Sequence, residues 1–212
     1  MSTLNVDVIN ESTAAAGTTV EGVLIKDSVL KIPGGSPGAD KVLTSDASGN
    51  ATWEAAVGGL FESYAILEDQ KTSGTAGGTA TLGSWETRDL QTEVYDGIGI
   101  TISSNEFTLP AGNYLITWSA PCWAVTRHQS RLYDVTGTAA VAQGSSIITA
   151  GAGATYRADT SPSTGSARVT PSSSNAYRIE HQVSETHSSN GYGHAASFGV
   201  EVYTRVTIFK ES

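Results

Sequence analysis

Apolar and polar residues alternate with period two along much of this chain, which is the pattern of half-buried β-strands. The last run is the cleanest. Val200, Val202, Thr204, Val206 and Ile208 fall on one face, and Glu201, Tyr203, Arg205, Thr207 and Phe209 on the other. Tyr114, Ile116, Trp118, Ala120 and Cys122 share a face, as do Tyr177, Ile179, His181 and Val183. Ile98, Ile100 and Ile102 alternate with Gly99 and Thr101, and Phe107 to Leu109 runs into a Pro110-Ala-Gly112-Asn113 turn. Shorter strands are expected at Arg131–Asp134 and Ser146–Thr149. Alternation of this kind, broken by turn residues, predicts an antiparallel two-sheet sandwich. The final strand carries large apolar groups on both faces, although one face of an antiparallel strand is normally solvated. Tyr203 and Phe209 are therefore expected to meet a partner subunit.

The first 58 residues have a different texture. Small apolar clusters at Val6–Ile9, Val20–Ile25 and Val29–Ile32 are separated by the small, polar stretch Glu11–Thr19, and Pro33-Gly-Gly-Ser-Pro-Gly38 breaks any regular structure. Lys41–Thr44 and Ala51–Trp53 flank Ser45–Asn50 as a hairpin with its loop. A segment this short, with so few large side chains, cannot bury a core alone and is expected to pack against copies of itself or another protein. The expected division is 1–58 as an extended shaft or anchor and 59–212 as the β-sandwich.

Composition supports an all-β protein and excludes a helical bundle. Charged residues make up 16%, Gly contributes 23 residues, and small polar and β-branched residues are abundant. With 12 basic against 21 acidic residues and no basic run, the net charge of −9 leaves no patch able to neutralise several phosphates, so no nucleic-acid partner is expected. Cys122 is the single cysteine, which excludes an intrachain disulfide. The start of the chain has neither a basic n-region nor an apolar h-region, and no apolar run approaches a membrane span. Synthesis in a cytoplasm, without insertion into a membrane, is the expectation.

Chemistry-bearing patterns are sparse. Gly-x-Ser-x-Gly, His-Glu-x-x-His and Cys-x-x-Cys are all missing, so an enzyme is not expected. Glu185 with His187, and Asp134 with His128, are the available acid/base pairs. His181, His187 and His194 could in principle ligate a metal, but His181 sits on an apolar face as a hydrogen-bonded core residue would, and no cofactor or metal is expected. Glycan binding needs an aromatic or apolar surface for the sugar ring beside polar groups for its hydroxyls. Trp123 with Arg127 and His128, Tyr156 with Arg157, and Tyr192 in the Asn190–Gly193 turn have that composition and are the candidate ligand-binding residues.

Phe107-Thr-Leu-Pro-Ala-Gly-Asn-Tyr114-Leu-Ile resembles the Phe…Gly-x-Tyr strand pair of the C1q/TNF-like jelly roll, with Ile116 where that family often has Phe. The pieces Tyr64–Thr79, Trp85–Glu93, Gln129–Asp134, Asn190–Gly193 and Val200–Lys210 together are similar to the C-terminal module of many bacteriophage virion proteins. Thr19–Asp27 and Lys41–Trp53 are similar to segments of phage fibres and spikes. The resemblance implies a homotrimer with a jelly-roll head on an N-terminal shaft that binds other virion proteins, assembled in a host cytoplasm. It implies adhesion of the head to a host surface polysaccharide or receptor. A capsid-decorating or connector protein that binds no receptor is the alternative.

Overall fold

In the computed structural model of the protein, residues 36, 38–56, 58–148 and 159–212 are described. The expected shaft before Ser36 lies outside the described residues, as do the candidate ligand residues Tyr156 and Arg157. The chain divides into two compact units, Met1–Val57 and Gly58–Ser212.

Within the first unit, β1 (Lys41–Ser45) and β2 (Ala51–Ala55) form an antiparallel hairpin in the register Lys41↔Ala55 to Ser45↔Ala51. Asp46 closes its loop, with Oδ1 accepting the Ser48 and Asn50 N–H groups. The Asn50 side-chain amide, donating to Asp46 Oδ2 at 2.9 Å, and then these backbone bonds hold its carboxyl below the usual carboxylate range. This is the hairpin that the sequence predicts.

The second unit is all-β among its described residues. Its strands are β3 (Phe61–Lys71), β4 (Glu86–Thr87), β5 (Thr92–Asp96), β6 (Thr101–Ser103), β7 (Glu106–Leu109), β8 (Tyr114–Trp123) and β9 (Arg127–Asp134). They are followed by β10 (Ala139–Gln143), β11 (Ile147–Ile148), β12 (Thr160–Val169), β13 (Asn175–Val183) and β14 (Glu201–Glu211). One sheet has the order β12-β8-β14-β3-β5 and the other β10-β9-β13-β7-β6, with β11 also on β9 and β4 also on β13. All the pairings are antiparallel. The last strand lies inside the first sheet between β3 and β8, and β13 lies inside the second between β7 and β9. From β8 onward the long strands β8, β9, β12, β13 and β14 alternate between the two sheets, which is the winding of a jelly roll. The expected fold class is the observed one.

Between the sheets lie Leu67, Leu90, Phe107, Leu109, Tyr114, Ile116, Trp118, Leu132, Ile179, Val206 and Ile208. These are largely the residues whose alternation defines the strands, and their removal from water drives the two layers together. A smaller cluster of Ala80, Cys122, Val125, Val183 and Tyr192 closes one end of the sandwich.

Two expectations about strands need correction. Ile98–Ile102 is not one strand: Asp96 accepts the N–H groups of Ile98, Gly99 and Ile100, so the chain turns there and pairs only from Thr101. The alternation of β14 is also broken. Its register against β3 shifts between Val202 and Arg205, and a bulge of this kind reverses which face a side chain meets. Val202 is consequently exposed, whereas Tyr203 is buried with its hydroxyl donating to the Thr75 carbonyl at 2.8 Å. Tyr203 and Phe209 do not share a surface.

Candidate functional site

A surface hollow of about 510 Å³ opens where β9, β11 and β13 come together. Cross-strand pairing builds it: His128 stands opposite both Ile147 and Val183, and Arg127 opposite Ile148. Leu82 and Gly83 complete one wall and Gln129, Ser146, Gln182 and Ser184 supply polar lining. Ile148 is 78% exposed and Leu82 57%, so the hollow offers apolar surface to an incoming molecule. Gln129 is pre-oriented, with its Nε2 donating to the Gly144 carbonyl and to Ser146 Oγ. Ser184 is likewise fixed, its Oγ accepting the Arg127 N–H and donating to the Val125 carbonyl. Arg127 and His128, two of the sequence-predicted ligand residues, are brought together here.

A buried polar cluster lies behind His128. Its members come from four strands or their ends: Arg88 follows β4, Cys122 is on β8, His128 on β9 and His181 on β13. Arg88 is only 1% exposed; its Nη1 donates to the Pro121 carbonyl at 2.8 Å and its Nε to Thr204 Oγ1 at 3.1 Å. Nη1 also lies 3.4 Å from His181 Nδ1, and His181 Nε2 lies 2.9 Å from His128 Nδ1 and 3.3 Å from Cys122 Sγ. Burial, reinforced by the Arg88 charge, holds His128 down to about 4 and His181 well below the usual imidazole range. Burial also pushes the Cys122 thiol up to about 12, against the pull of Arg88. Both imidazoles are neutral at pH 7.

Cys122, His128 and His181 present ligand atoms within 4.8 Å of one another, a spacing that would suit a soft transition metal. The hydrogen-bond direction opposes that use. A guanidinium can only donate, so His181 accepts at Nδ1 and carries its proton on Nε2, the atom that would face the cation. A metal-bound imidazole normally donates its other N–H to an acceptor, and here that position is held by a second donor with a full positive charge. The cluster is a hydrogen-bonded network that fixes the His128 ring, consistent with the core role read for His181.

The other predicted ligand residues lie elsewhere. Tyr192 is buried, its hydroxyl donating to Glu86 Oε2 at 2.7 Å and its ring stacked under Arg88, so it offers no exposed ring to a ligand. Trp123 is half-buried on the opposite side of β8 from Cys122, with its ring 4.6 Å from that of His187 and 5.4 Å from that of His194. It does not line the hollow. The suggested acid/base pairs are otherwise engaged: Glu185 accepts from Thr126 Oγ1 at 2.6 Å, and Asp134 accepts from Asn175 Nδ2 and the Gly137 N–H. A second hollow of about 410 Å³ beside Asp134, Pro171 and Tyr177 contains Arg168, whose charge is already paired with Glu211 at 2.7 Å.

The outer face of the first sheet carries an aromatic stripe that alternation only partly foretold. Phe209 is in register with Tyr64 on β3 and Leu115 on β8. Phe61 packs against Phe209 with the rings tilted and their centroids 4.9 Å apart, and Tyr95 of β5 stacks on Tyr64 at 4.5 Å. Tyr64 and Tyr95 are exposed. Sequence reasoning identified Phe209 but not its neighbours, nor Ile148 and Leu82 at the hollow. Arg88 gave no signal, because a lone arginine after a short polar strand normally reads as solvated.

No protein-family model matches the chain, and no curated protein matches it. Among solved structures, Eiger TNF from S. frugiperda is similar at 10% identity and a TM-score of 0.47, over 70% of this chain and 92% of that one. Two structures of murine APRIL, at pH 8.0 and pH 8.5, are similar at 9% and 10% identity with TM-scores of 0.39 and 0.41. Each covers 70% of this chain and 99% of its own. The jelly-roll assignment stands on the strand order and register described above.

Proposed function

We propose that this chain is a non-enzymatic adhesion protein of a virion fibre or spike, homotrimeric through its jelly-roll head, whose surface hollow binds a host-surface glycan. The hollow beside Arg127 carries the reading. Ile147, Ile148 and Leu82 supply apolar surface, and Arg127, Gln129 and Ser184 supply polar groups on a rigid two-sheet frame. A sugar ring has one apolar face and a rim of hydroxyls, and it needs that combination. Self-association is supported by the stripe of Phe61, Phe209, Tyr64 and Tyr95, since ordered aromatics on the outside of a sheet are favourable to bury against a second copy. Three copies would present three hollows, and weak contacts then gain avidity. The N-terminal segments similar to those of phage fibres support attachment to other virion proteins through that end.

The test is a native mass by light scattering on the full chain, followed by retention on whole bacteria and on purified surface polysaccharides. A mass near three times 22.0 kDa with retention on polysaccharide is the expected result. Binding to virions alone would support the decoration or connector role instead. Shortening of the polysaccharide would reveal an enzyme.

A further inference from the structure

We propose that the buried chain Arg88–His181–His128 is an acid-opened latch: a proton that enters it forces apart the strands behind the hollow while the main core stays packed. The inference does not depend on what the hollow binds.

Hydrogen-bond direction leads to it. A guanidinium only donates, so His181 accepts from Arg88 at Nδ1, 3.4 Å away, and carries its proton on Nε2. That N–H donates to His128 Nδ1 at 2.9 Å. The His128 proton is then on Nε2, a buried atom without an acceptor among the described residues. Each imidazole lone pair therefore already accepts a bond. A proton added to His128 lands on Nδ1 and sets two N–H groups against each other across 2.9 Å. His181 cannot yield by shifting its own proton to Nδ1, because the Arg88 donor stands there. A proton added to His181 itself faces the guanidinium directly.

Nothing bonded to the chain offsets the added charge. Cys122 on β8, 3.3 Å from His181 Nε2, is a thiol, and the Tyr192 ring lies against both Arg88 and His181. Thr204 of β14 and the carbonyls of Pro121 and Tyr192 accept the other Arg88 donors. Glu86 on β4 is engaged by the Tyr192 hydroxyl and the Thr81 N–H. Glu180 lies on the opposite face of β13 from His181, paired with Arg131 and Arg178, and Arg127 lies on the opposite face of β9 from His128.

Strand pairing confines the effect to one end. His128 stands opposite Ile147 of β11 and Val183 of β13, and His181 opposite Glu86 of β4 and Ser130 of β9. Both β4 and β11 are only two residues long, so few backbone bonds hold these elements in place. The main core around Leu67, Phe107, Ile116 and Ile208 contains no side chain that gains charge in mild acid. Folded chains open first where buried apolar contacts and backbone bonds are fewest. Burial and then Arg88 hold His128 down to about 4 in the closed form, against 6.5 for an opened ring, so acid draws the equilibrium toward the open end. Cys122 reports on that opening, since it is fully buried in the small cluster that closes this end.

The experiment follows Cys122 labelling by a dithiodipyridine, which reacts with thiols in acid, on the full-length protein at pH 7, 6, 5 and 4.5. Each rate is divided by that of the guanidinium-unfolded chain at the same pH. Expected is a rise of about tenfold or more from pH 7 to pH 4.5 with far-ultraviolet dichroism retained, and renewed protection on return to pH 7. His128→Gln, whose amide oxygen accepts from His181 without titrating, should keep the protection at pH 7 and lose most of the rise. If that variant does not fold, imidazole nitrogen chemical shifts of the wild type decide, and His128 protonation should follow the same pH course as labelling. Labelling that appears only together with loss of dichroism overturns the latch. A rise unchanged in His128→Gln, a rise without ring protonation, or failure to reclose at pH 7 overturns it too.

Discussion

Arg88 lies flat against Tyr192, with its guanidinium carbon 3.9 Å from the ring centroid. The same group donates to Thr204 on β14 and to the Pro121 carbonyl on β8, while its own backbone N–H donates to the Ile179 carbonyl on β13. One residue thus ties both sheets together at the end of the sandwich that carries the hollow. No carboxylate lies within ion-pair distance among the described residues, so carbonyl dipoles and the ring face stabilise the charge. Arg88→Met would leave these acceptors unpaired and the ring unsupported. We expect a stability loss of about 3 kcal/mol by chemical denaturation. A loss below about 1 kcal/mol would show that the network contributes little.

Acid should weaken the fold through His128. Its folded-state value is depressed to about 4 from 6.5, because burial and then Arg88 disfavour the imidazolium. The unfolded chain therefore binds the extra proton first, and stability falls as pH drops through the window from about 6.5 to about 4. The loss from this one group is on the order of 3 kcal/mol when the window has been crossed. His181, depressed in the same direction, adds to it. Denaturation midpoints at pH 7.5, 6, 5 and 4 should decline, and His128→Gln should flatten the decline. An unchanged slope in that variant would remove His128 as the cause.

Cys122 should be inert in the native protein. It is fully buried and its thiol is pushed up to about 12 by that burial, so almost no thiolate is present at pH 8. A thiol-reactive chromogen is expected to give no fast phase on the native chain and one equivalent after unfolding in guanidinium. Rapid labelling without denaturant would contradict this burial.

The aromatic stripe should govern assembly. Phe209 packs on Phe61 on the outside of the first sheet, away from the core, so Phe209→Lys should change association more than folding. Light scattering is expected to give a mass near one chain, 22.0 kDa, for this variant with its far-ultraviolet dichroism retained. If Phe209→Lys keeps the wild-type mass, the stripe is not the interface.

Gly165 marks a close approach that tolerates no side chain. A Cβ there would enter the indole ring of Trp118, whose Nε1 donates to Ser130 Oγ at 2.8 Å. Gly165→Ala should cost about 1–3 kcal/mol through displacement of the ring and that bond. Quenching or a shift of the tryptophan emission should accompany it.

Much of the fold could be read from residues alone. The alternation at Tyr114–Cys122 and Tyr177–Val183 settles strand identity and the inward face, because side chains on a strand point to opposite sides with period two. The placement of His181 in the core follows from the same parity, and the Lys41–Ala55 hairpin from its turn residues. Parity is local, however, and it carries no memory across an irregularity. One shift between Val202 and Arg205 sent Tyr203 inward and Val202 outward, which no count of apolar residues could reveal. Strand order is non-local in the same way. Arg88 and His181 stand 93 residues apart, and Arg127 meets Ile148 only because β11 pairs with the start of β9. The sequence by itself determined which segments become strands and which of their side chains seek the core, since both follow from backbone geometry and the exclusion of apolar surface from water. Only the tertiary structure decided which strands are neighbours, and so where the buried donors end and the hollow begins, because hydrogen-bond direction and cross-strand register depend on partners far away in the chain.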